Sequence, residues 1–161
     1  METHYLFSKN KKIGSFIIRL GSFLVDSYDF TFNNIPSHVA VLIDETYVIE
    51  SVMSGGVRII PYNKWLEHNT QIMKIKAGCH VEHPKDLMFE MWGKPYDKLG
   101  ILRFAIDIVM SKVLGRPMPL KNKWEQEDAF FCTEFASRIF DGDTGSTRTP
   151  VQLMRMIYGP V

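Results

Sequence analysis

Three short apolar runs rich in β-branched residues lie within residues 38–61, and they constrain the fold of this chain more than any other feature. They read HVAVLID, TYVIESV and GGVRIIP, and polar or glycine-containing turns separate them. Consecutive short strands joined by tight turns pair in antiparallel order. A small helix, YNKWLEHN, and a further strand, TQIMKIKA, are predicted to follow them. This region therefore predicts a small antiparallel sheet.

The segments on either side are assigned from their own residue patterns. GSFIIRLG, at residues 14–21, predicts a short strand because it is rich in β-branched and aromatic residues and is bounded by glycines. SFLVDSYDFTFNN then predicts a short helix or turn. After residue 79 four helices are predicted: HPKDLMFEMWG, an apolar helix over residues 99–114, CTEFASRIF, and VQLMRMIYG, which Thr149 and Pro150 begin. Strands followed by helices indicate an α+β fold.

Length, composition and charge narrow the class of protein. The 161 residues are most simply one domain, residues 1–161, with 45% hydrophobic and 23% charged residues. The net charge of +1 implies neither a nucleic acid nor an anionic membrane as partner. Arg19 interrupts the apolar N-terminal run, and no stretch reaches roughly 20 uninterrupted apolar residues. We therefore expect no signal peptide, no transmembrane segment and a cytoplasmic location, with a virion or a host cell left open for a phage-encoded chain.

Cys132 is a candidate nucleophile. It stands in DAFFCTEFASRIF, where the residues that follow it predict a helix. The N-terminus of a helix stabilises a thiolate through its unpaired N–H groups and its dipole, and the thiolate is the nucleophilic form. The same N–H groups can contribute to an oxyanion hole. The alternative is that Cys132 is an inert core residue among aromatic side chains. Cys79 lies at a predicted strand end and is the lesser candidate, and two cysteines are too few for a disulfide framework.

A catalytic cysteine needs a base, and His38 is the best placed of the five histidines. It opens the predicted strand HVAVLID, so the sheet would hold its backbone while its ring stands at the end of the sheet. Glu50 ends the next strand and could accept a hydrogen bond from the imidazole and orient it. The alternative is that His38 and Glu50 are structural residues at strand ends, without a catalytic role. Of the remaining histidines, His4 is assigned to a frayed terminus and His68 to a solvated helix end. His80 and His83 are assigned to a loop.

Several motifs, in order along the chain, resemble those of a known superfamily. SHVAVLI, YVIESVMSGGVRIIPYNKWL, GKPYDKLGIL, FFCTEFASRIF and TPVQLM are similar to segments of the circularly permuted NlpC-type cysteine hydrolases, a papain-like superfamily that includes YiiX-like proteins. The resemblance covers about residues 14–154. It implies a papain-like fold, circularly permuted, in which a small antiparallel sheet or half-barrel packs against helices.

The same resemblance assigns roles to individual residues. It implies Cys132 as the nucleophile, His38 as the general base and Glu50 as the polar third member of the site. Tyr96, in GKPYD, matches an aromatic residue that lines the site in this superfamily and contacts the substrate or the oxyanion. The alternative for Tyr96 is a turn residue packed on the core.

The resulting prediction is a cysteine hydrolase, a peptidase or amidase that acts through an acyl-enzyme on amide bonds of peptides or peptidoglycan fragments, without a cofactor. The alternatives are a lipid acyltransferase or thioesterase with an acyl-lipid substrate, and a catalytically silent binding protein. The apolar helix at residues 99–114 bears on this choice, because it could complete the core or line an acyl-chain groove, and the core is preferred. A metal site is disfavoured because the spacing of its candidate ligands fits no common closed zinc site: Cys79, His80, His83 and Cys132.

Overall fold

The computed structural model describes residues 2–11, 13–26, 31–76, 84–115, 128–142 and 148–158. Within them, the strands are β1 (Thr3–Lys9), β2 (His38–Ile43), β3 (Tyr47–Val52), β4 (Gly56–Pro61) and β5 (Thr70–Lys76). The helices are α1 (Ile13–Asp26), α2 (Tyr62–His68), α3 (Pro84–Met91), α4 (Lys98–Leu114), α5 (Cys132–Asp141) and α6 (Pro150–Tyr158), with a 3-10 turn at Phe32–Asn34.

The strands form one antiparallel sheet in the order β4-β3-β2-β1-β5. Strands β2, β3 and β4 follow one another through tight turns, as their sequence pattern predicts. The turn between β2 and β3 contains Asp44 and Glu45, whose positive φ angles of 46° and 57° suit the right-handed twist of a hairpin. The mixed α+β class and the antiparallel sheet are confirmed.

The N-terminal part of the chain differs from the prediction. Residues 14–21, predicted as a strand, belong to helix α1, and the residues predicted to be frayed form strand β1, which contains His4. A short apolar run cannot be assigned to strand or helix by periodicity alone. In α1, Phe16 and Leu20 lie one helical turn apart on the same exposed face. In β1, by contrast, Tyr5 is fully buried. Strand β1 is central in the sheet, between β2 and β5, and its side chains are buried by packing on both faces.

Side chains pack against both faces of the sheet. On one face, residues of β1, β2 and β3 form the larger core cluster with α3, α5 and α6. On the other face, a smaller cluster joins the same three strands to Trp65 of α2. Successive residues of a strand point to opposite faces, so these central strands are buried on both sides. Helix α5, which begins at Cys132, packs directly on β2 and β3.

Helix α4 confirms the predicted apolar helix, and its buried side contributes to the core as preferred. It begins after Asp97, whose carboxylate accepts the N–H of Gly100 at 2.6 Å, and it ends before Gly115, which has a left-handed φ of 63°. One side is buried, including Phe104 and Ile108, and the opposite side is exposed. Large apolar residues occur on both the buried and the exposed side of the helix, and packing on the core uses only the buried side. Within the described residues, no helix has both the length and the apolar character needed to cross a membrane.

Candidate active site

The backbone places Cys132 at the first turn of α5, where its side chain is buried. The Glu134 carboxylate accepts the N–H of Phe131 at 3.2 Å, and the carbonyl of Phe131 accepts the N–H of Phe135 at 2.9 Å. These two bonds define the start of the helix. The N–H groups of the first turn have no acceptor within a helix, so they direct partial positive charge toward the start of α5. The Cys132 side chain therefore lies at the positive end of the α5 dipole.

The two residues before Cys132 are held in place from three directions. The N–H of Phe130 donates to the carbonyl of Pro95 at 3.1 Å, and the hydroxyl of buried Ser51 donates to the carbonyl of Phe130. The ring of Phe131 stacks on that of Phe104 in α4, with centroids 6.1 Å apart. Ser51 follows Glu50 in β3, so the chain entering α5 is anchored beside the predicted acidic residue. The position of the thiol is therefore set by the sheet as well as by its own helix.

His38 is the first residue of β2 and lies where this strand has separated from β3. It pairs with Ser8 of β1, but the ladder between β2 and β3 ends at Val41 and Ile49. The side chain of His38 is 12% exposed, and its Nε2 lies 2.7 Å from Oε2 of Glu50. The imidazole also hydrogen-bonds the Cys132 side chain. Because Nε2 is engaged with the carboxylate, Nδ1 is the ring nitrogen available to the sulfur.

The charge state of His38 follows from its two partners. Burial by itself lowers the pKa of His38, but the hydrogen bonds to Cys132 and Glu50 and the negative charges of both outweigh it and raise the pKa to about 10. At neutral pH His38 is therefore an imidazolium next to the Cys132 side chain. The site can therefore hold a nucleophilic sulfur and a proton donor in direct contact.

Glu50 is a buried carboxylate with a full set of donors. Its side chain is 1% exposed. Oε2 accepts from His38 and, at 2.9 Å, from Nε1 of Trp65, while Oε1 accepts from Nε and Nη2 of Arg58 at 3.0 and 2.6 Å. Burial raises the pKa of Glu50, but the hydrogen bonds and charges of His38 and Arg58 outweigh this and lower it to about 2. Glu50 is therefore ionised and held rigidly behind the imidazole.

Arg58 and Trp65 were not found from the sequence. Arg58 is the direct cross-strand partner of Glu50 in the β3–β4 hairpin. The sequence could have predicted the pairing of Glu50 with Arg58, because a turn at residues 53–55 places positions 50 and 58 opposite each other. Trp65 reaches Glu50 from α2, and local sequence patterns carry no information on that approach. Both residues support the carboxylate rather than face the sulfur.

Tyr96 borders an open groove. The side chain is buried, and burial followed by the charges of Cys132, Asp97 and Glu134 raises the pKa of its hydroxyl. The groove has a volume of about 630 Å³ and lies between the β3–β4 turn and the start of α4. Its walls consist of Met53, Ser54, Gly55, Gly56, Pro95, Tyr96, Lys98 and Leu99. Cys132 and His38 are not among these residues, and Tyr96 is the wall residue whose pKa is affected by the charge of Cys132.

A glycine in β4 holds the segment that carries Tyr96. Gly56 has a φ of 65°, and a Cβ at this position would lie 2.1 Å from the carbonyl oxygen of Lys94. This close approach lets the N–H of Val57 donate to that oxygen at 2.8 Å and the N–H of Gly93 donate to the Val57 carbonyl at 2.9 Å. Only glycine suits both the left-handed backbone and the missing space. The segment before α4 is therefore fixed to the edge of the sheet.

The predicted site residues come together in space. Cys132, His38 and Glu50 form one connected group, and Tyr96 is close enough to Cys132 for the two charges to interact. His4 and His68 lie elsewhere, in β1 and at the end of α2. The remaining histidines and the second cysteine, residues 79, 80 and 83, are outside the described residues. In the part of the chain that is described, no group of three His, Cys, Asp or Glu side chains is arranged to hold a metal ion.

The raised pKa of His38 can be measured by nuclear magnetic resonance of the histidine ring signals. We expect one histidine to titrate near pH 10 rather than near the ordinary 6.5, and Cys132→Ala and Glu50→Gln should each lower that pKa. His68→Ala is the matched control and should remove a different signal. A His38 pKa that neither substitution lowers would contradict the hydrogen-bonded chain from sulfur to carboxylate.

Compared with family models, with curated proteins and with solved structures, the chain matches none of them.

Proposed function

We propose that this protein is a cysteine hydrolase of the circularly permuted NlpC type, with Cys132 as nucleophile, His38 as general base and acid, and Glu50 as the residue that orients the imidazole. The observation that carries the proposal is that His38 is hydrogen-bonded to Cys132 and, through its other side, to a fully buried carboxylate. A papain-like half-barrel is the fold that agrees with this order of residues and with a helix starting at the nucleophile and packed on the sheet.

The proposed reaction has two steps. The Cys132 thiolate attacks the carbonyl carbon of the substrate, and His38 gives its proton to the leaving amine as the carbon–nitrogen bond breaks. Water then attacks the resulting thioester, His38 takes a proton from that water, and the sulfur leaves as the acid product forms. Glu50 keeps the ring oriented and stabilises its positive charge in both steps.

Two groups can stabilise the oxyanion that forms in each step. The first group consists of the backbone N–H groups in the first turn of α5, which begins at Cys132 and can donate hydrogen bonds to the oxyanion. The hydroxyl of Tyr96 keeps its proton at physiological pH because its pKa is raised, so it can donate a hydrogen bond. We assign Tyr96 to oxyanion or substrate binding on this basis.

The proposed substrate is an amide of a peptide or peptidoglycan fragment, bound in the groove beside Tyr96. The polar rim of that groove at Ser54 and Lys98 supports this choice. A lipid acyltransferase or thioesterase is the second candidate, supported by Leu99 in the groove wall and by the exposed apolar side of α4. A silent binding protein has no use for a thiol, an imidazolium and an ionised carboxylate in contact. A free thiol nucleophile also agrees with the reducing cytoplasm as the site of action.

The substrate class can be decided by turnover. Wild-type protein and Cys132→Ala are incubated with a library of peptide amides, including peptidoglycan stem peptides, and with esters and thioesters of increasing chain length. We expect cleavage of amides that Cys132→Ala abolishes. Leu66→Ala, at an exposed position of α2, serves as the control that keeps the activity. Ester cleavage that rises steeply with chain length while amides stay intact would select the lipid reaction, and no Cys132-dependent turnover would select the binding protein.

A further inference from the structure

The outer sides of α1 and α4 carry exposed apolar side chains that the proposed reaction does not require. On α4, the exposed side carries Leu99, Leu102, Ile106, Val109 and Val113, which recur at helical spacing opposite the buried Phe104 and Ile108. We call these five residues the outer α4 stripe. Most exposed apolar residues of a protein are scattered singly, whereas a continuous stripe of large ones marks a binding surface. We propose that this surface docks on an anionic lipid membrane.

Helix α1 presents a second apolar stripe next to the first. Phe16, Ile17, Leu20 and Leu24 are exposed on one side of this helix. The two helices pack on each other, and Gly21 of α1 allows Ile108 of α4 to come close. A helix whose apolar side faces outward from the protein, rather than toward its core, has the pattern of an interfacial helix.

The charges around the stripes favour anionic lipid. Lys98 and Lys112 are exposed on α4, and exposed Lys11 precedes α1. The single acidic residue of α4, Asp107, is buried and paired with Arg103 at 2.8 Å. The part of α1 that carries the exposed apolar residues, 16–24, contains no acidic residue, and Asp26 at the end of the helix is the one acidic residue of α1. Cations beside an apolar surface attract anionic headgroups, and the chain's net charge of +1 conceals this local excess.

The same charges disfavour a second copy of the chain as the occupant. A symmetric contact brings the same patch of both copies together. Pairing of two outer α4 stripes would bring Lys98 and Lys112 of each copy toward those of the other, without exposed carboxylates on the helix to offset them. Like charges across an interface oppose association. Lipid headgroups supply the opposite charge.

The proposed membrane surface continues into the groove beside Tyr96. Lys98 and Leu99 belong to the first turn of α4, and both also line the groove. A protein docked through α4 would therefore have the mouth of this groove near the headgroups. The shared residues determine only where the groove opens relative to the membrane. Membrane docking itself does not depend on the reaction at Cys132.

Vesicle binding tests the proposal without any need for catalysis. Cys132→Ala protein is mixed with vesicles of phosphatidylcholine alone or of phosphatidylcholine with phosphatidylserine, and the bound fraction is measured by co-flotation. We expect binding to the vesicles that contain phosphatidylserine, and weaker binding to the neutral ones. Val109 and Val113 are 57% and 73% exposed, so the double change Val109→Asp and Val113→Asp should leave the fold intact. It should weaken vesicle binding by about tenfold or more.

The matched control is Leu66→Asp, because Leu66 is an exposed apolar residue, at 44%, on the separate helix α2. It should bind vesicles like its parent, and circular dichroism should show that all variants are folded. The proposal is overturned if folded parent protein binds neither vesicle, or if Leu66→Asp lowers binding as much as the double variant. It is also overturned if light scattering shows a dimer that the double variant dissociates, because the stripe would then be a self-association surface.

Discussion

His38→Ala is expected to slow alkylation of Cys132 by iodoacetamide by about tenfold or more at roughly pH 6, where an isolated thiol is almost entirely protonated. In the wild type, the imidazolium is hydrogen-bonded to the sulfur, and its raised pKa of about 10 keeps it positively charged across the neutral range. A sulfur that an adjacent imidazolium activates reacts at slightly acidic pH, where ordinary thiols do not. The labelled residue is identified by mass-spectrometric peptide mapping, with a small alkylating reagent because Cys132 is buried.

Two internal controls sharpen this experiment. Cys132 should be labelled before Cys79 in the wild type, and His68→Ala, which removes an exposed histidine at the end of α2, should label at the wild-type rate. If His38→Ala reacts as fast as the wild type, the sulfur does not depend on the imidazole and the proposed catalytic pair is wrong. In the wild type, turnover should also fall as the pH rises through about 10, because deprotonated His38 cannot protonate the leaving group.

Glu50→Ala is expected to destabilise the protein by about 3 kcal/mol, the lower end of the range for breaking a buried ion pair, because Arg58 is 42% exposed and water can replace its lost partner. The carboxylate has His38, Arg58 and Trp65 as hydrogen-bond donors, and its loss leaves two cations and a buried indole N–H without their acceptor. Urea unfolding gives the free energy. Glu50→Gln keeps the shape and part of the hydrogen bonding, so it should cost less.

Glu67→Ala is the matched control for this measurement. Glu67 forms an exposed ion pair with Lys64, and such pairs contribute at most about 1 kcal/mol. A loss at Glu50→Ala no larger than that of Glu67→Ala would show that the buried network does not stabilise the fold. The His38 pKa of the Glu50 variants separates the two roles of the carboxylate, since general destabilisation does not by itself lower the pKa of the folded state.

The pH dependence of stability should follow from the same two groups. The folded-state pKa of Glu50 is lowered from 4.5 to about 2, so its contribution is complete above 4.5 and is lost as the pH falls toward 2. The folded-state pKa of His38 is raised from 6.5 to about 10, so its contribution is complete below 6.5 and is lost as the pH rises through 10. Both contributions are complete between pH 4.5 and 6.5.

Several elements were accessible from the sequence because their signals are local. The hairpins of β2, β3 and β4 follow from β-branched runs and short turns. Helix α6 begins at Pro150 because Thr149 and Gln152 exchange hydrogen bonds of 3.0 and 2.9 Å between side chain and backbone. Strand β1 was missed because its partners, β2 and β5, are distant in sequence. The error at α1 has a different origin, since a short apolar run such as residues 14–21 suits either a strand or a helix.

The sequence by itself determined the order of most elements and the residue types available for a thiol-based site, because turns, caps and periodicity act over a few residues. The tertiary structure alone decided that Cys132 and His38, 94 positions apart, are in contact, and that Arg58 and Trp65 share the carboxylate of Glu50. It also decided that α4 has an exposed apolar side. Contacts between distant residues depend on how helices pack on the sheet, and burial depends on which neighbours are present; neither is encoded in a local pattern.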